Sequence, residues 1–125
     1  MGVTTYVVVT CDCVGFHCFP EAADDVAFLR NTNRHKFFIK VICEVAHDNR
    51  EIEFFQLQRK LKQWLPPDET DLGTTSCEQL AKFLLEKLLS EYGKERTYIV
   101  EVWEDKENGA IVQYSPRDQA RCLLT

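Results

Sequence analysis

No apolar run in the chain reaches the roughly 18–20 residues that a helical membrane span needs, and the strand-like N-terminal stretch VTTYVVVTCDC carries no basic segment ahead of it. A transmembrane helix is therefore not expected, and the cytoplasm is the expected compartment. Basic charge is also scarce. Fifteen Lys and Arg stand against twenty Asp and Glu, for a net charge of −5. The densest basic group, Arg59, Lys60 and Lys62, is spread over a predicted helix. That balance argues against a nucleic-acid backbone as partner, because phosphate binding is mostly the work of Lys and Arg. The six cysteines include no CxxC pair, and only Cys11 and Cys13 are closely spaced. A disulfide framework belongs to small, core-poor secreted chains, so two readings stay open here: buried free thiols or a soft-metal site. Internal repeats and low-complexity segments are absent as well.

What is present is an ordinary globular composition. The chain has 125 residues, 45% hydrophobic and 28% charged, enough for a single domain over residues 1–114 with an irregular tail over 115–125. Thr4 to Phe16 is rich in Val, Thr and Tyr and predicts a long strand. His35 to Val45 predicts a second, with Phe37, Ile39, Val41 and Cys43 on one face. The acidic connection between them is read as a long hairpin loop with room for a short helix.

Phe54, Leu57, Leu61 and then Trp64 or Leu65 recur at helical spacing, and Pro66-Pro67 stop that helix. A second helix opens at Thr75-Ser-Cys-Glu78, which has the form of a capping box, and ends at Gly93. Thr97 to Glu104 and Ala110 to Tyr114 predict two closing strands, joined through a turn in which Asn108-Gly109 is the hairpin signal. The order ββααββ predicts an α+β fold, a four-stranded antiparallel sheet with both helices on one face. One sheet face and two edges stay uncovered, which copies of the chain can resolve by closing a barrel together.

His17 and His35 stand at the near ends of the first two strands, so pairing those strands brings two imidazoles to the mouth of the connecting loop. Two histidines are an incomplete zinc site, since catalytic zinc takes three protein ligands; the pair can equally be hydrogen-bonded and metal-free. His47 reads as a solvated turn residue. Phe16, Phe19, Phe37, Phe38 and Trp103 read as core or subunit-contact residues, one of which could stack on a flat ring.

The element order, the helix start TSCEQLA and the strand end VEVWED resemble the 6-pyruvoyltetrahydropterin synthase and 6-carboxytetrahydropterin synthase family, which has the T-fold. The likeness runs from about Tyr6 to Tyr114. The family's F-x-A-x-H-x-L-P motif is matched by CVGFHCFP, residues 13–20, which puts His17 in a zinc-ligand position. The family's H-G-H is matched by Asn33-Arg34-His35, which keeps the second histidine and has asparagine for the first. IEFFQL, residues 52–57, resembles the V-D-F-x-x-L stretch. Thr75-Ser76-Cys-Glu78 resembles P-T-x-E, and Glu104 falls where the family has its pterin-anchoring glutamate.

The resemblance implies a ligand site of Glu104, Glu78 and Ser76, a zinc site of His17, His35 and Asn33, and a trimer or hexamer. Asn33 is a poor zinc ligand, because its amide oxygen is neutral and hard. The family's catalytic cysteine position holds Leu29, and the shortened segment PPDETDLGTT has no histidine. The expected function is therefore binding of a pterin- or purine-like small molecule, without the family's standard catalysis. Two alternatives stand beside it: a zinc-dependent lyase using a relocated thiol, and a structural or partner-binding oligomer without a small-molecule pocket. Glu104 could also be no more than an exposed strand-end carboxylate, and Glu78 no more than half of its capping box.

Overall fold

A computed structural model describes residues 2–116 of the chain. Alternation of β-branched and aromatic residues builds β1 (Thr5–His17) and β2 (Asn33–Val45), which pair antiparallel along their full length, from Thr5 opposite Val45 to His17 opposite Asn33. The helix α1 (Phe54–Trp64) follows, then the two-residue strand β3 (Thr70–Asp71) and the helix α2 (Cys77–Tyr92). A hairpin of β4 (Tyr98–Glu104) and β5 (Asn108–Tyr114) completes the described residues.

The fold is mixed α+β, as the sequence predicts, but the sheet has five strands in the order β3-β1-β2-β4-β5. The added strand corrects the four-stranded antiparallel expectation. β3 lies parallel to the end of β1, with Gly15 opposite Thr70 and Phe16 opposite Asp71. Nothing in DETDLG has strand-like alternation. The pairing comes from the chain being drawn along β1, where Glu69 and Leu72 donate their amides to the Val14 and Phe16 carbonyls at 2.9 and 2.7 Å. The β1–β2 connection uses the room expected there for a short helix, with a kinked 3-10 helix over Asp24–Arg30. Within the single chain the sheet is open, not a closed barrel.

Both helices cover one face of the sheet. Val9, Cys13, Phe37, Ile39, Val41, Cys43, Val100 and Val102 point into that layer against Leu57 and Leu61 of α1 and Leu80, Leu84 and Leu88 of α2. The thiols of Cys13 and Cys43 belong to this core and are free. Burial pushes them up to about 11 and about 12, so they are inert apolar groups at neutral pH. The other sheet face leaves Tyr6, Val8 and Ile111 exposed. Cys122 and the expected tail fall largely outside the described residues, and among those residues no helix is long and apolar enough to cross a membrane.

Two turn signals are displaced by small steps. The β4–β5 reversal is made by Asp105 and Lys106, both with positive φ (51° and 61°), and not by Asn108-Gly109, which open β5 instead. Gly109 is required there for space: a Cβ would collide with the Val102 carbonyl and sit 2.8 Å from the Trp103 ring. The α2 cap is Ser76, one residue later than expected. Its hydroxyl accepts from the Gln79 amide at 3.1 Å, and the Gln79 side chain accepts from the Ser76 amide at 2.9 Å.

Leu84 is fully buried where α2 meets the sheet. Leu84→Ala should cost about 2–5 kcal/mol in urea-induced unfolding, the range for deleting a buried leucine side chain. A loss below about 1 kcal/mol would contradict this packing.

Candidate functional site

Odd-numbered residues of β1 and β2 face the helices, as do even-numbered residues of β4. Toward the β1–β2 loop this face runs out of leucine cover and turns polar. It carries His17, Asn33, His35 and Glu104 around the ring of buried Phe37. His17 stands edge-on to both Phe37 and His35, with centroids 5.2 Å away in each case. The strands supply the convergence. Asn33 pairs with His17, His35 with Gly15, and Glu104 with Phe37. Gly15 leaves its place to Leu72, which a Cβ would meet at 2.8 Å.

The α1–α2 connection closes this end. Cys18 donates its amide to the Gly73 carbonyl at 2.9 Å, and Gly73 turns there with φ of 60°. The chain then presents the Thr75 carbonyl to His17 Nδ1 at 2.8 Å. A carbonyl can only accept, so Nδ1 carries the hydrogen and Nε2 is the nitrogen left for chemistry. His17 Nε2 lies 2.7 Å from Glu104 Oε1, with the two side chains only 13% and 25% exposed. Two bare acceptors would repel at that distance, so a proton or a cation must lie between them.

His35 repeats the pattern. Its Nδ1 is 2.7 Å from Asp105 Oδ2, while Asp105 Oδ1 accepts from the Lys36 amide at 3.0 Å. The His35 hydrogen bond, followed by that of the Lys36 amide, holds the Asp105 carboxyl below the usual carboxylate range. Asp105 is thus an ionised acceptor, so His35 Nδ1 carries the hydrogen and Nε2 is the ring nitrogen left over. That atom is buried with no hydrogen-bond partner, as is Asn33 Oδ1, whose amide group donates instead to the Asn31 carbonyl at 2.9 Å. Only three buried side-chain atoms among the described residues are unpartnered, and two of them are these acceptors. Buried acceptors without donors suit a cation, so the donor set fits the zinc that the resemblance implies.

In front of this cluster opens a cleft of about 530 Å³. His17, Asn33, Ser76, Glu78 and Glu104 all line it, and His35 is outside its lining. All but one of the six residues singled out in the sequence therefore face a single cavity. The displaced cap alters one reading. Gln79, not Glu78, completes the capping box, so Glu78 has no capping partner and stands exposed at the rim.

Cys77 and Asp105 were not foreseen. Cys77 lines the cleft and hydrogen-bonds to Glu104; burial, then the charges of Glu104 and Glu78, push its thiol up to about 12. Cys18 also lines the cleft, because β1 and its alternation stop at His17. The single clue to Asp105 was its place next to Glu104 in an acidic turn. His47 lies in an exposed turn, where its Nδ1 accepts from the Asn49 amide at 3.2 Å.

No protein-family model matches the chain, and no curated protein matches it. Among solved structures, it is similar to the uncharacterized protein WS1659 from Wolinella succinogenes, with a TM-score of 0.69. The match covers 91% of this chain and 100% of that one at 12% sequence identity. A likeness at this identity concerns the fold alone.

The Asp105 contact should be visible as a tautomer. Nitrogen-15 correlation spectra at a pH where His35 is neutral should show the hydrogen on Nδ1. In Asp105→Ala the population should move toward hydrogen on Nε2, the form preferred in water. An unchanged Nδ1–H signal would mean that Asp105 does not hold the ring.

Proposed function

We propose that the cleft binds a flat, polar heterocycle of the pterin or purine type, and that the chain does not carry out the turnover of the synthases it resembles. The observation that carries this reading is the convergence of two carboxylates, Glu78 at the rim and Glu104 at the floor, on one cleft of about 530 Å³. Pterins and guanine-like purines present a ring N–H beside an exocyclic amine. A carboxylate accepts both at once, and such charge-assisted pairs fix orientation strongly. The volume falls within the roughly 300–1,000 Å³ usual for small-molecule sites. Phe19 and Leu29 add apolar lining against which a ring can lie.

The groups that face the cleft argue against the family's chemistry. Leu29, at the position of the family's catalytic cysteine, is one of the lining residues. Cys77 stays protonated at neutral pH and is no ready nucleophile. The reading therefore favours a binding protein over the lyase alternative.

In this proposal the architecture is a T-fold, with β3 as an addition to its four long strands. The uncovered sheet face, with Tyr6, Val8 and Ile111 exposed, then meets other copies in a trimer or hexamer that closes a barrel.

Calorimetric titration with a panel of pterins and purine nucleosides tests the reading, alongside mass spectrometry of small molecules released on denaturation. At least one heterocycle should bind near one per chain. Glu78→Gln should weaken it by roughly tenfold or more, as expected for a lost charge-assisted hydrogen bond. No binding across the panel, with no heterocycle released, would overturn the proposal.

A further inference from the structure

We infer that Glu104, and not Asn33, supplies the third protein ligand of a divalent transition-metal site whose other ligands are His17 and His35. With Glu104 on the metal, Glu78 is the carboxylate left to pair with the ring edge of a heterocycle in the cleft.

One ligand atom from each of these three residues lies within 4.8 Å of the other two. Two imidazole nitrogens and one carboxylate oxygen form a donor set suited to zinc or ferrous iron. Both rings already have the hydrogen-bonded state that a metal-binding histidine needs. Nδ1–H of His17 is committed to the Thr75 carbonyl and Nδ1–H of His35 to the Asp105 carboxylate, which leaves Nε2 of His35 unpartnered and turns Nε2 of His17 to Glu104 at 2.7 Å. Asp105 holds His35 in a carboxylate–histidine arrangement typical of metal sites, and its own position is fixed from two sides. Its carboxylate accepts from the Lys36 amide, and its backbone amide donates to the Lys36 carbonyl at 2.9 Å.

Asn33 stands in the ligand position that alignment with H-G-H assigns, but its amide is a neutral donor on the strand that already supplies His35. Glu104 comes from β4 and is the negatively charged group against His17 Nε2. The carboxylate also lowers the charge of a bound dication in a half-buried setting, which a neutral amide cannot do. Three protein ligands leave coordination positions free toward the cleft, as in metal sites that bind an exogenous group.

Competition between the metal-free full-length protein and a chromogenic zinc chelator tests the assignment. The wild type should bind one zinc ion per chain. Glu104→Gln should weaken binding at least tenfold, and Asn33→Ala by no more than about threefold. Asp105→Asn should weaken it by roughly 10–100-fold, the usual loss on removing a ligand's orienting partner. Thermal unfolding of each metal-free variant establishes that it is folded, and Asp105→Asn still tests the site if Glu104→Gln does not fold. The assignment is overturned if the wild type binds no zinc or if the His17→Ala/His35→Ala variant binds it as tightly as wild type. It also fails if Asn33→Ala loses zinc while Glu104→Gln retains it.

Discussion

The register between β1 and β2 is the constraint on which the rest depends. Thirteen residues of each strand pair without interruption, and a slip of one position would turn every side chain to the opposite face. In the observed register Val9 and Cys13 join Phe37, Ile39, Val41 and Cys43 beneath the helices. The same register puts His17 opposite Asn33 and His35 opposite a glycine. Core and site are therefore two ends of one sheet face. Apolar burial under α1 and α2 holds the pairing, and the pairing holds the imidazoles.

Polar groups persist at the far end because each is given a role by backbone that would otherwise need a partner of its own. The connection into α2 donates to and accepts from β1 and delivers the Thr75 carbonyl to His17. The tight β4–β5 turn, with two consecutive residues at positive φ, swings Asp105 back across β2 to His35 and the Lys36 amide. Aspartate tolerates the left-handed region better than most side chains, which reconciles the turn with the contact. The cluster left over consists of acceptors. Buried acceptors facing each other are costly unless a proton or a cation sits among them.

Much of this was legible in the chain. Alternation located both long strands and the core face of β2, helical spacing located α1 and α2, and the strand ends brought His17 and His35 together. Hidden were features set by long-range geometry. A two-residue parallel strand has no periodicity to read, and β3 forms only because its chain is drawn along β1. The capping box could be written from Thr75 or from Ser76, and the sequence pattern favoured the glutamate while the structure uses Gln79. The strong turn signal of Asn108-Gly109 was likewise outweighed by a glycine requirement against Trp103. The bond between Glu104 and His17 joins residues 87 positions apart and could not be seen from either strand alone.

The central claim is that the sheet end forms a prearranged acceptor cluster of His17, His35 and Glu104. Anomalous diffraction at the zinc edge, from crystals grown with one equivalent of zinc, tests it most directly. One strong peak per chain is expected within coordination distance of both His Nε2 atoms and a Glu104 oxygen. Zinc found only at cysteines such as Cys11 and Cys13, or no peak against the two histidines, would contradict it.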